Sequence, residues 1–284
     1  MISVLLCTLN RPVLIKNCIR SFLSQTYKDL EIIVVDQSPD DETEKSCKEF
    51  DDDRIKYHHV DFTGLSKARN YGLKHAKGEW ICLGDDDAVY DKQFFYKAME
   101  FTEKHGPECI LCGKLFFLDD REKAVLDYKA YYQYQELDTD GMMQIGASAT
   151  LLLPARILKE IKGFDTRFGV GARYGSGEET DVVLRMFKKG IKAYHIEDMQ
   201  VFHGDSKKEE IPDLKKILYY YIGLGALLKK HLWYDRNTAL LPKAVRATLG
   251  AFIKWMTGDK KQKDVYRMRI AGFYRGFFVY KQKG

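Results

Sequence analysis

Residues 64–87 read "GLSKARNYGLKHAKGEWICLGDDD" and carry the pattern that decides the fold. The segment 64–78 has the composition of a helix that ends at Gly78, and the apolar run at 79–84 has the character of a buried β-strand. Three consecutive aspartates, 85–87, follow that strand directly. A helix followed by a buried strand with a polar end is typical of βα units, in which ligands bind at the carboxyl ends of the strands.

The N-terminal part of the chain alternates strands and helices in the same way. Apolar runs at 2–8 and 30–36 predict buried strands, and the amphipathic stretch from Pro12 to about Gln25 predicts a helix between them. Residues 54–60 form a further candidate strand. This alternation predicts an α/β fold with a mostly parallel central sheet flanked by helices.

Polar clusters follow the first, second and fourth predicted strands. They read TLNR at 8–11, DQSPDD at 36–41 and DDD at 85–87. Because the carboxyl ends of parallel strands lie at one edge of a sheet, we expect these clusters to converge there. One polar turn after a strand is ordinary, whereas three that each carry a charged side chain favour a ligand site.

Beyond residue 90 the pattern is more varied. The Tyr-rich span 127–141 matches no element, and the glycine-rich loop 163–177 is expected to move. The other segments have strand or helix patterns, namely a helix from about Phe94, strands at 109–118, 146–154, 192–196 and 199–203, and a helix at 178–190 with acids in its first turn and lysines in its last.

The charge of the chain is unevenly distributed. The 284 residues are 45% hydrophobic and 31% charged, which is typical of a folded globular protein. Residues 207–284 carry 18 Lys and Arg against 6 Asp and Glu, a net charge of +12, whereas residues 1–206 carry 28 against 35, a net charge of −7. No apolar run reaches the length of about 20 residues that crosses a bilayer. The C-terminal segment is therefore expected to face an anionic partner without spanning a membrane.

The first ten residues and the cysteines both favour the cytoplasm. Residues 1–10 lack the basic segment and longer apolar run of a secretory signal. The six cysteines lack the paired spacing of a zinc site, since the one close pair, CILC at 109–112, lies within an apolar run. We interpret them as reduced, mostly buried thiols, with a metal or redox role as the alternative.

The triple aspartate has two interpretations. Adjacent carboxylates at the end of a buried strand repel each other unless a cation neutralises them, and their hard oxygen atoms favour Mg²⁺ or Mn²⁺. The basic side chains of Arg11, Lys67 and Arg69 would suit a diphosphate. The alternative is a solvated acidic turn.

Two further strand-end side chains are candidate ligands. Asp36 ends an apolar strand, where it could accept a hydrogen bond from a base N–H or a ribose hydroxyl, or it could simply begin a turn with Pro39. His203 follows the apolar run 199–202, where it could complete an oxygen-rich metal site or be ordinary polar surface.

Three acidic side chains begin the helix predicted at 178–190. Glu178, Glu179 and Asp181 lie where the helix dipole stabilises carboxylates, so capping alone could explain them. Capping does not require the glycine-rich loop that precedes them. A carboxylate presented there could act as a general base toward a hydroxyl nucleophile.

Together these segments resemble the family 2 glycosyltransferases of the GT-A fold, across about residues 2–205. The resemblance rests on five motifs in the family's order, which are LLCTLNR, LEIIVVDQSPDD, GLSKARNYGLKHAKGEWICLGDDD, KGFDTRFGVGARYGSGEETDVVLR and VFHGDS. It implies transfer of a sugar, with inversion and with a divalent metal, from a nucleotide-diphosphate donor (UDP-, GDP- or dTDP-sugar) to a hydroxyl of a glycan or lipid-linked acceptor.

The resemblance also assigns roles. Asp85 and Asp87 match the outer positions of the family's DxD motif and, with His203, are the expected metal ligands, whereas the middle Asp86 is expected to be the most replaceable. Glu179 takes the place of the usual general base, with Glu178 and Asp181 as the alternatives. The nucleotide and its diphosphate are expected to contact Thr8, Asn10, Arg11, Asp36, Arg69, Asp85 and Asp86.

The resemblance predicts a catalytic domain at 1–206, with a nucleotide-binding half at 1–90 and an acceptor half at 91–206. Residues 207–284 are predicted to form a basic helical extension that either packs on this domain or lies on an anionic membrane surface at the inner face of the cell membrane. Nucleic acid is not expected, because no recognition motif accompanies the charge. Donor and acceptor specificity is expected to lie in loops near 119–146 and 165–177.

Two other functions remain open from the residues. A nucleotidyltransferase also combines a nucleotide, acidic residues and Mg²⁺ on an α/β sheet, but it would ordinarily have a glycine-rich loop after the first strand, and residues 7–15 contain no glycine. A sugar-binding protein with an inactive site is the non-enzymatic alternative.

Overall fold

The computed structural model describes residues 1–125, 134–137, 148–204 and 212–282. The chain divides into two compact units. Unit 1 comprises Met1–Thr63, Lys67–Gly163 and Arg185–Lys208, and unit 2 comprises Gly64–Ser66, Phe164–Leu184 and Glu209–Gly284. The functional division predicted at residue 206 stays a prediction.

Unit 1 contains a nine-stranded mixed sheet in the order β3-β2-β1-β4-β8-β6-β9-β5, with β7 paired to β9. The strands are β1 (Ile2–Thr8), β2 (Leu30–Asp36), β3 (Ile55–His59), β4 (Trp80–Asp85), β5 (Ala88–Tyr90), β6 (Cys109–Phe116), β7 (Tyr134–Leu137), β8 (Leu151–Pro154) and β9 (Lys192–His203). Strands β3, β2, β1 and β4 are parallel neighbours, as their alternation with helices predicts. Beyond β4 the pairing is antiparallel except between β6 and β9.

Helices flank the sheet. In the described residues, the α-helices that begin in unit 1 are α1 (Pro12–Leu23), α2 (Glu42–Lys48), α4 (Phe94–His105) and α5 (Ala155–Glu160), and a 3₁₀-helix (Ser148–Thr150) precedes β8. Helix α3 (Leu65–His75) begins in unit 2 and continues into unit 1. Pro12 begins α1, where its missing N–H costs no hydrogen bond. One face of α1 buries Ile15, Ile19 and Phe22 at helical spacing in the main hydrophobic core. Packing against the sheet therefore stabilises this helix.

Two glycines allow close approaches in the sheet of unit 1. A Cβ atom at Gly78 would lie 2.6 Å from the backbone nitrogen of Ser3, so only glycine lets the chain enter β4 beside β1. A Cβ atom at Gly113 would collide with the carbonyl oxygen of Met199. At that point the register between β6 and β9 shifts, and the two closing strands predicted at 192–196 and 199–203 form one irregular strand instead.

Unit 2 contains the C-terminal helices and the start of α6 (Glu178–Lys188), which continues into unit 1. Its other helices in the described residues are α7 (Leu214–Lys229), a π-helix (Lys230–Tyr234), a 3₁₀-helix (Thr238–Leu240), α8 (Leu241–Thr257) and α9 (Lys260–Val279). A Cβ atom at Gly276 would collide with the carbonyl oxygen of Ile222, so glycine lets α9 and α7 pack backbone to backbone. Among the described helices none is both long enough and apolar enough to cross a bilayer.

The glycine-rich loop before α6 is anchored within unit 2. Its Phe168 and Tyr174 side chains are buried with Leu227 of α7 and with Tyr280. Gly169, Gly171 and Gly177 have positive φ angles, a conformation that glycine adopts without strain. The loop is thus packed at two aromatic side chains, and the motion that its composition predicts stays a prediction.

Candidate active site

The sheet register brings the predicted strand-end clusters of unit 1 together. Thr8 at the end of β1 is the partner of Asp36 at the end of β2, and Cys7 is the partner of Asp85 at the end of β4. The three strands are adjacent and parallel, so their carboxyl ends share one edge. This edge is the candidate donor site.

Asp86, the middle aspartate, is the most buried of the three. Its carboxylate accepts hydrogen bonds from the Thr8 hydroxyl at 2.6 Å and from Arg11 Nη1 at 2.7 Å. Burial raises the pKa of Asp86, although Thr8 and Arg11 oppose that rise. A buried carboxylate with these two hydrogen bonds has a structural role in the site. This does not fit the expectation that Asp86 is the most replaceable of the three.

Asp85 and Asp87, the outer aspartates, have partly exposed side chains. The Ser148 hydroxyl donates to Asp85 Oδ1 at 3.0 Å, and Arg69 Nη2 lies 3.6 Å from the same atom. Desolvation raises the pKa of Asp85, and the positive charge of Arg69 reduces that shift. Two partly exposed carboxylates thus flank a buried one, and the role of Asp85 and Asp87 as a DxD motif stays a prediction.

Asp87 is held between two basic side chains. His203 Nε2 lies 3.0 Å from Asp87 Oδ1, and Arg11 Nη1 lies 2.9 Å from Asp87 Oδ2. Burial opposes ionisation of Asp87, but the hydrogen bond and charge of His203 and the charge of Arg11 hold its pKa below the usual value. The hydrogen bond to Asp87 in turn raises the pKa of His203. Strand β9 supplies His203 beside β5, where it pairs with Ala88.

Asp36 is fully buried. Its Oδ1 accepts hydrogen bonds from the backbone N–H and the hydroxyl of Ser38, and its Oδ2 accepts one from the Tyr57 hydroxyl at 2.8 Å. The nucleotide contact predicted for Asp36 would require Ser38 or Tyr57 to move. Exposed Asn10, whose backbone N–H donates to the Ser38 hydroxyl, is more accessible at this edge.

A divalent cation fits the donor set at this edge only in part. Among the described residues no three His, Cys, Asp or Glu side chains are arranged as a ready-made metal site. Mg²⁺ and Mn²⁺ do not require one, because they are commonly held by one or two carboxylates together with substrate phosphates and water. Asp87 and Asp85 provide such carboxylates, and His203 adjoins Asp87.

The three acidic candidates at the start of α6, in unit 2, differ in exposure. Glu178 and Asp181 are buried, and Glu179 is partly exposed. Glu178 packs beside Gly169, where a Cβ atom would lie 3.1 Å from the Glu178 carboxyl carbon. Of the three, Glu179 is therefore the most accessible to an acceptor.

Asp181 belongs to a buried network of charges. Its Oδ1 lies 2.6 Å from Lys230 Nζ and 2.9 Å from His231 Nε2. Lys230 also contacts Asp165 at 2.9 Å, and His231 Nδ1 lies 3.0 Å from Asp235. Burial opposes protonation of His231, but the hydrogen bonds to both aspartates raise its pKa above the usual value. This geometry favours a supporting role for Asp181 over the general-base role.

Sequence reasoning missed the partners of these acidic residues. Ser148, Lys230 and His231 carry no local motif that distinguishes them from other polar residues, and Asp165 lies in the motif that begins KGFD, which assigns it no role. Asp165 also pairs with Arg167 at 2.6 Å. Asp181 is 49 residues or more from its partners Lys230 and His231 along the chain, so residue spacing gives no signal for these pairs. Most of the specificity loop predicted at 119–146 lies outside the described residues.

Comparisons with known proteins identify the family. The family model described as "Glycosyl transferase family 2" matches residues 3–160, more than half of the chain. A glycosyltransferase of Rickettsia typhi, itself uncharacterized, is 27% identical over 171 residues, 58% of this chain and 54% of that protein. The GalNAc(5)-diNAcBac-PP-undecaprenol beta-1,3-glucosyltransferase of Campylobacter jejuni is 41% identical over 90 residues, 30% of this chain and 29% of that protein. The chain thus spans about half or less of the length of these relatives.

A solved structure agrees on the fold. The mannosyltransferase PcManGT of Pyrobaculum calidifontis, determined with GDP-Man and Mn²⁺, superposes with a TM-score of 0.63 over 99% of this chain and 88% of that chain, at 14% identity. The predicted GT-A fold is confirmed by this likeness. The match of the family model, over more than half of the residues, shows that the chain belongs to glycosyl transferase family 2.

Proposed function

We propose that this chain is a metal-dependent, inverting glycosyltransferase that moves a sugar from a nucleotide-diphosphate donor to a hydroxyl of a glycan or lipid-linked acceptor. The observation that carries the proposal is the shared edge of β1, β2 and β4 in unit 1. Thr8, Asp36 and Asp85 meet there in a chain of this family. The donor nucleotide could be UDP, GDP or dTDP.

The donor edge has basic groups suited to the diphosphate. Arg11 is exposed at this edge, and its Nη1 already pairs with Asp86 and Asp87. Arg69 is fully buried beside Asp85, so its position is fixed by packing. Positive side chains held in place before the reaction stabilise the negative charge that develops on the departing diphosphate. We assign this role to Arg69 and Arg11.

A bound Mg²⁺ or Mn²⁺ would supply Lewis-acid stabilisation of the same diphosphate charge. Asp87, Asp85 and His203 are the residues that would hold it, together with donor phosphate oxygens. His203 would bind in its neutral form, so binding would release the proton that the His203–Asp87 pair favours.

Glu179 is the proposed general base. Its carboxylate takes the proton of the acceptor hydroxyl as that oxygen forms a bond to the anomeric carbon. The bond from that carbon to the diphosphate oxygen breaks, and its electron pair leaves with the nucleoside diphosphate. A single displacement of this kind inverts the anomeric configuration and needs no second, nucleophilic carboxylate.

The acceptor of the Campylobacter jejuni relative is named as an undecaprenol-linked glycan, which supports a lipid-linked acceptor here. Such acceptors are membrane-bound, so we place the enzyme in the cytoplasm at the inner face of the cell membrane. This location would suit assembly of cell-surface polysaccharide or glycolipid. The net charge of +12 over residues 207–284 also favours an anionic membrane.

The proposal is tested with a panel of UDP-, GDP- and dTDP-sugars in the presence of Mn²⁺. We expect one donor class to bind in calorimetry and to release its nucleoside diphosphate when a lipid-linked acceptor is added. Glu179→Gln should lower turnover by roughly 10²–10⁴-fold with little change in donor affinity. Asp87→Asn should weaken both Mn²⁺ binding and donor binding.

Matched controls use exposed acidic side chains away from the site. Glu103→Gln on α4 and Asp53→Asn, which precedes β3 at its amino end, make the same chemical changes at exposed positions and should leave activity unchanged. Failure of every donor to bind with Mn²⁺ at high protein concentration would contradict the proposal. Donor binding with no loss of turnover in Glu179→Gln would contradict only the assignment of the base.

A further inference from the structure

Helix α8 in unit 2 directs its large apolar side chains to solvent. Seven of them are between 37% and 60% exposed, and they are Leu241, Val245, Leu249, Phe252, Ile253, Trp255 and Met256. An amphipathic helix of a soluble protein normally buries such side chains and exposes its polar ones. Here the apolar face is the exposed face, and it needs a partner.

Small residues make the contacts of α8 within unit 2. Ala244, Thr248 and Ala251 are partly buried, and Thr248 and Ala251 line a small apolar cleft with residues of α7 and α9. At 100° per residue these three positions lie on the side of the helix opposite Leu249 and Ile253. The large apolar side chains therefore contribute little to the core of unit 2.

The exposed apolar side chains form one stripe along α8. Leu241, Val245, Leu249, Phe252 and Met256 follow the spacing of four, four, three and four residues that keeps side chains on one helix face. Aromatic side chains accompany this stripe, since the rings of Phe252 and Trp255 lie 5.5 Å apart. The stripe runs from the first residue of α8 nearly to its last.

The charge around the stripe is positive. From Leu241 to Val279 the chain has nine lysines and arginines against two aspartates. Arg246 on α8 is exposed, as are Lys260 and Arg267 on α9, whereas the Lys254 ammonium lies over the Tyr266 ring of α9. A second copy of the chain would bring like charges together, whereas an anionic lipid surface would neutralise them.

From these observations we infer that the exposed face of α8 docks on an anionic lipid bilayer, lying along its surface with the apolar stripe among the headgroups and the basic side chains on lipid phosphates. At 17 residues with charges inside it, α8 suits the interface and not a span. Its purpose rests on the proposed function, because a docked enzyme would meet a lipid-linked acceptor directly. The docking itself is independent of catalysis.

The test is sedimentation of the full chain with vesicles, with no donor or acceptor present, so that its result is independent of the transferase proposal. We expect binding to vesicles of equal parts phosphatidylglycerol and phosphatidylcholine, little binding to phosphatidylcholine alone, and weakening at high salt. Phe252→Glu should weaken binding roughly tenfold or more, because an aromatic side chain that would enter the headgroup region is replaced by a charge that anionic lipid repels.

Tyr96→Glu is the matched control. Tyr96 is 51% exposed on α4, so this variant makes a similar change at an exposed aromatic residue off the face and should bind vesicles as the unchanged chain does. Circular dichroism and thermal melting establish that both variants are folded. Absence of binding to anionic vesicles, or equal binding by Phe252→Glu, would overturn the inference. So would a dimer in solution that Phe252→Glu dissociates, since a second copy would then cover the face.

Discussion

Two groups of charged side chains contain the same numbers of acidic and basic residues, but they differ in how these charges are compensated. The strand-edge cluster of unit 1 contains Asp85, Asp86 and Asp87 with Arg11, Arg69 and His203. The buried cluster of unit 2 contains Asp165, Asp181 and Asp235 with Arg167, Lys230 and His231. Each has three carboxylates and three basic groups, so composition alone does not separate a site from a structural network.

What separates them is how well the carboxylates are compensated. In the strand-edge cluster, desolvation raises the pKa of Asp85 and of Asp86. In the buried cluster, burial also opposes ionisation of Asp165, yet the hydrogen bond from Arg167 and the charge of Lys230 lower its pKa to about 2. Asp85 and Asp86 would gain from an added cation, whereas Asp165 and, at the strand edge, Asp87 are already compensated by basic side chains. Incomplete compensation of carboxylates is expected of a binding site, and complete compensation is expected of a structural network.

Removing one basic side chain from each cluster should have unequal effects on the free energy of unfolding. Lys230→Met leaves Asp181 and Asp165 buried without their shared ammonium, and we expect a loss of about 3–5 kcal/mol in the free energy of unfolding. Arg11→Met removes a side chain that is 48% exposed, and we expect a change within about 1 kcal/mol. Urea unfolding of both variants measures the difference. Equal losses would show that the two clusters do not differ in this way.

Neutralising one carboxylate in each cluster should change stability in opposite directions. Asp165→Asn should lose about 2 kcal/mol, since its pKa falls from 3.8 to about 2 on folding and each pKa unit is worth about 1.4 kcal/mol. Asp85→Asn should leave the stability of the metal-free protein unchanged or slightly higher, because its raised pKa means that ionisation opposes folding. The Asp85→Asn substitution should instead weaken the binding of Mn²⁺ and of the donor. Thermal melting with and without Mn²⁺ checks both, and destabilisation by Asp85→Asn would contradict the interpretation.

Periodicity predicted the parts of the fold that form the donor edge. Strands β1 and β2, the start of α1 and the three aspartates at the end of β4 lie where hydrophobic pattern and Pro12 predict them. The seven-residue helix α2 and the three-residue strand β5 are too short to establish a period, so the sequence provides no reliable signal for them.

The partners of the acidic residues could not be predicted in the same way. The nucleotide contact of Asp36 stays a prediction, whereas the hydrogen bond that Tyr57 of the neighbouring strand β3 donates to its carboxylate depends on sheet register. Lys230 is one of many lysines in a basic segment, and only tertiary packing distinguishes it. Long-range pairing of charges is thus the part of this molecule that residue types and spacing leave undetermined.

The smallest expected effect is on the pH dependence of stability. The folded-state pKa of His231 is raised above 6.5 by Asp181 and Asp235, so its contribution is fully present below about pH 6.5 and is lost as pH rises through the raised value. At acidic pH the corresponding group is Asp165, whose contribution to stability is present above about pH 3.8 and is lost as pH falls toward 2. The unchanged chain should therefore have a stability maximum between these two limits.

Two histidine variants test which histidine causes the loss of stability on the alkaline side of this pH profile. His203 has a raised pKa through Asp87 and contributes with the same sign, but its side chain is 38% exposed and its pair is therefore more strongly screened by solvent. His231→Asn should remove most of the decline in unfolding free energy between pH 6 and pH 9, and His203→Asn should remove less, because the buried pair is the stronger one. Urea unfolding across this range measures both. If His203→Asn flattened the profile more than His231→Asn, the strand-edge cluster would be the better-compensated one and the contrast between the clusters would be reversed.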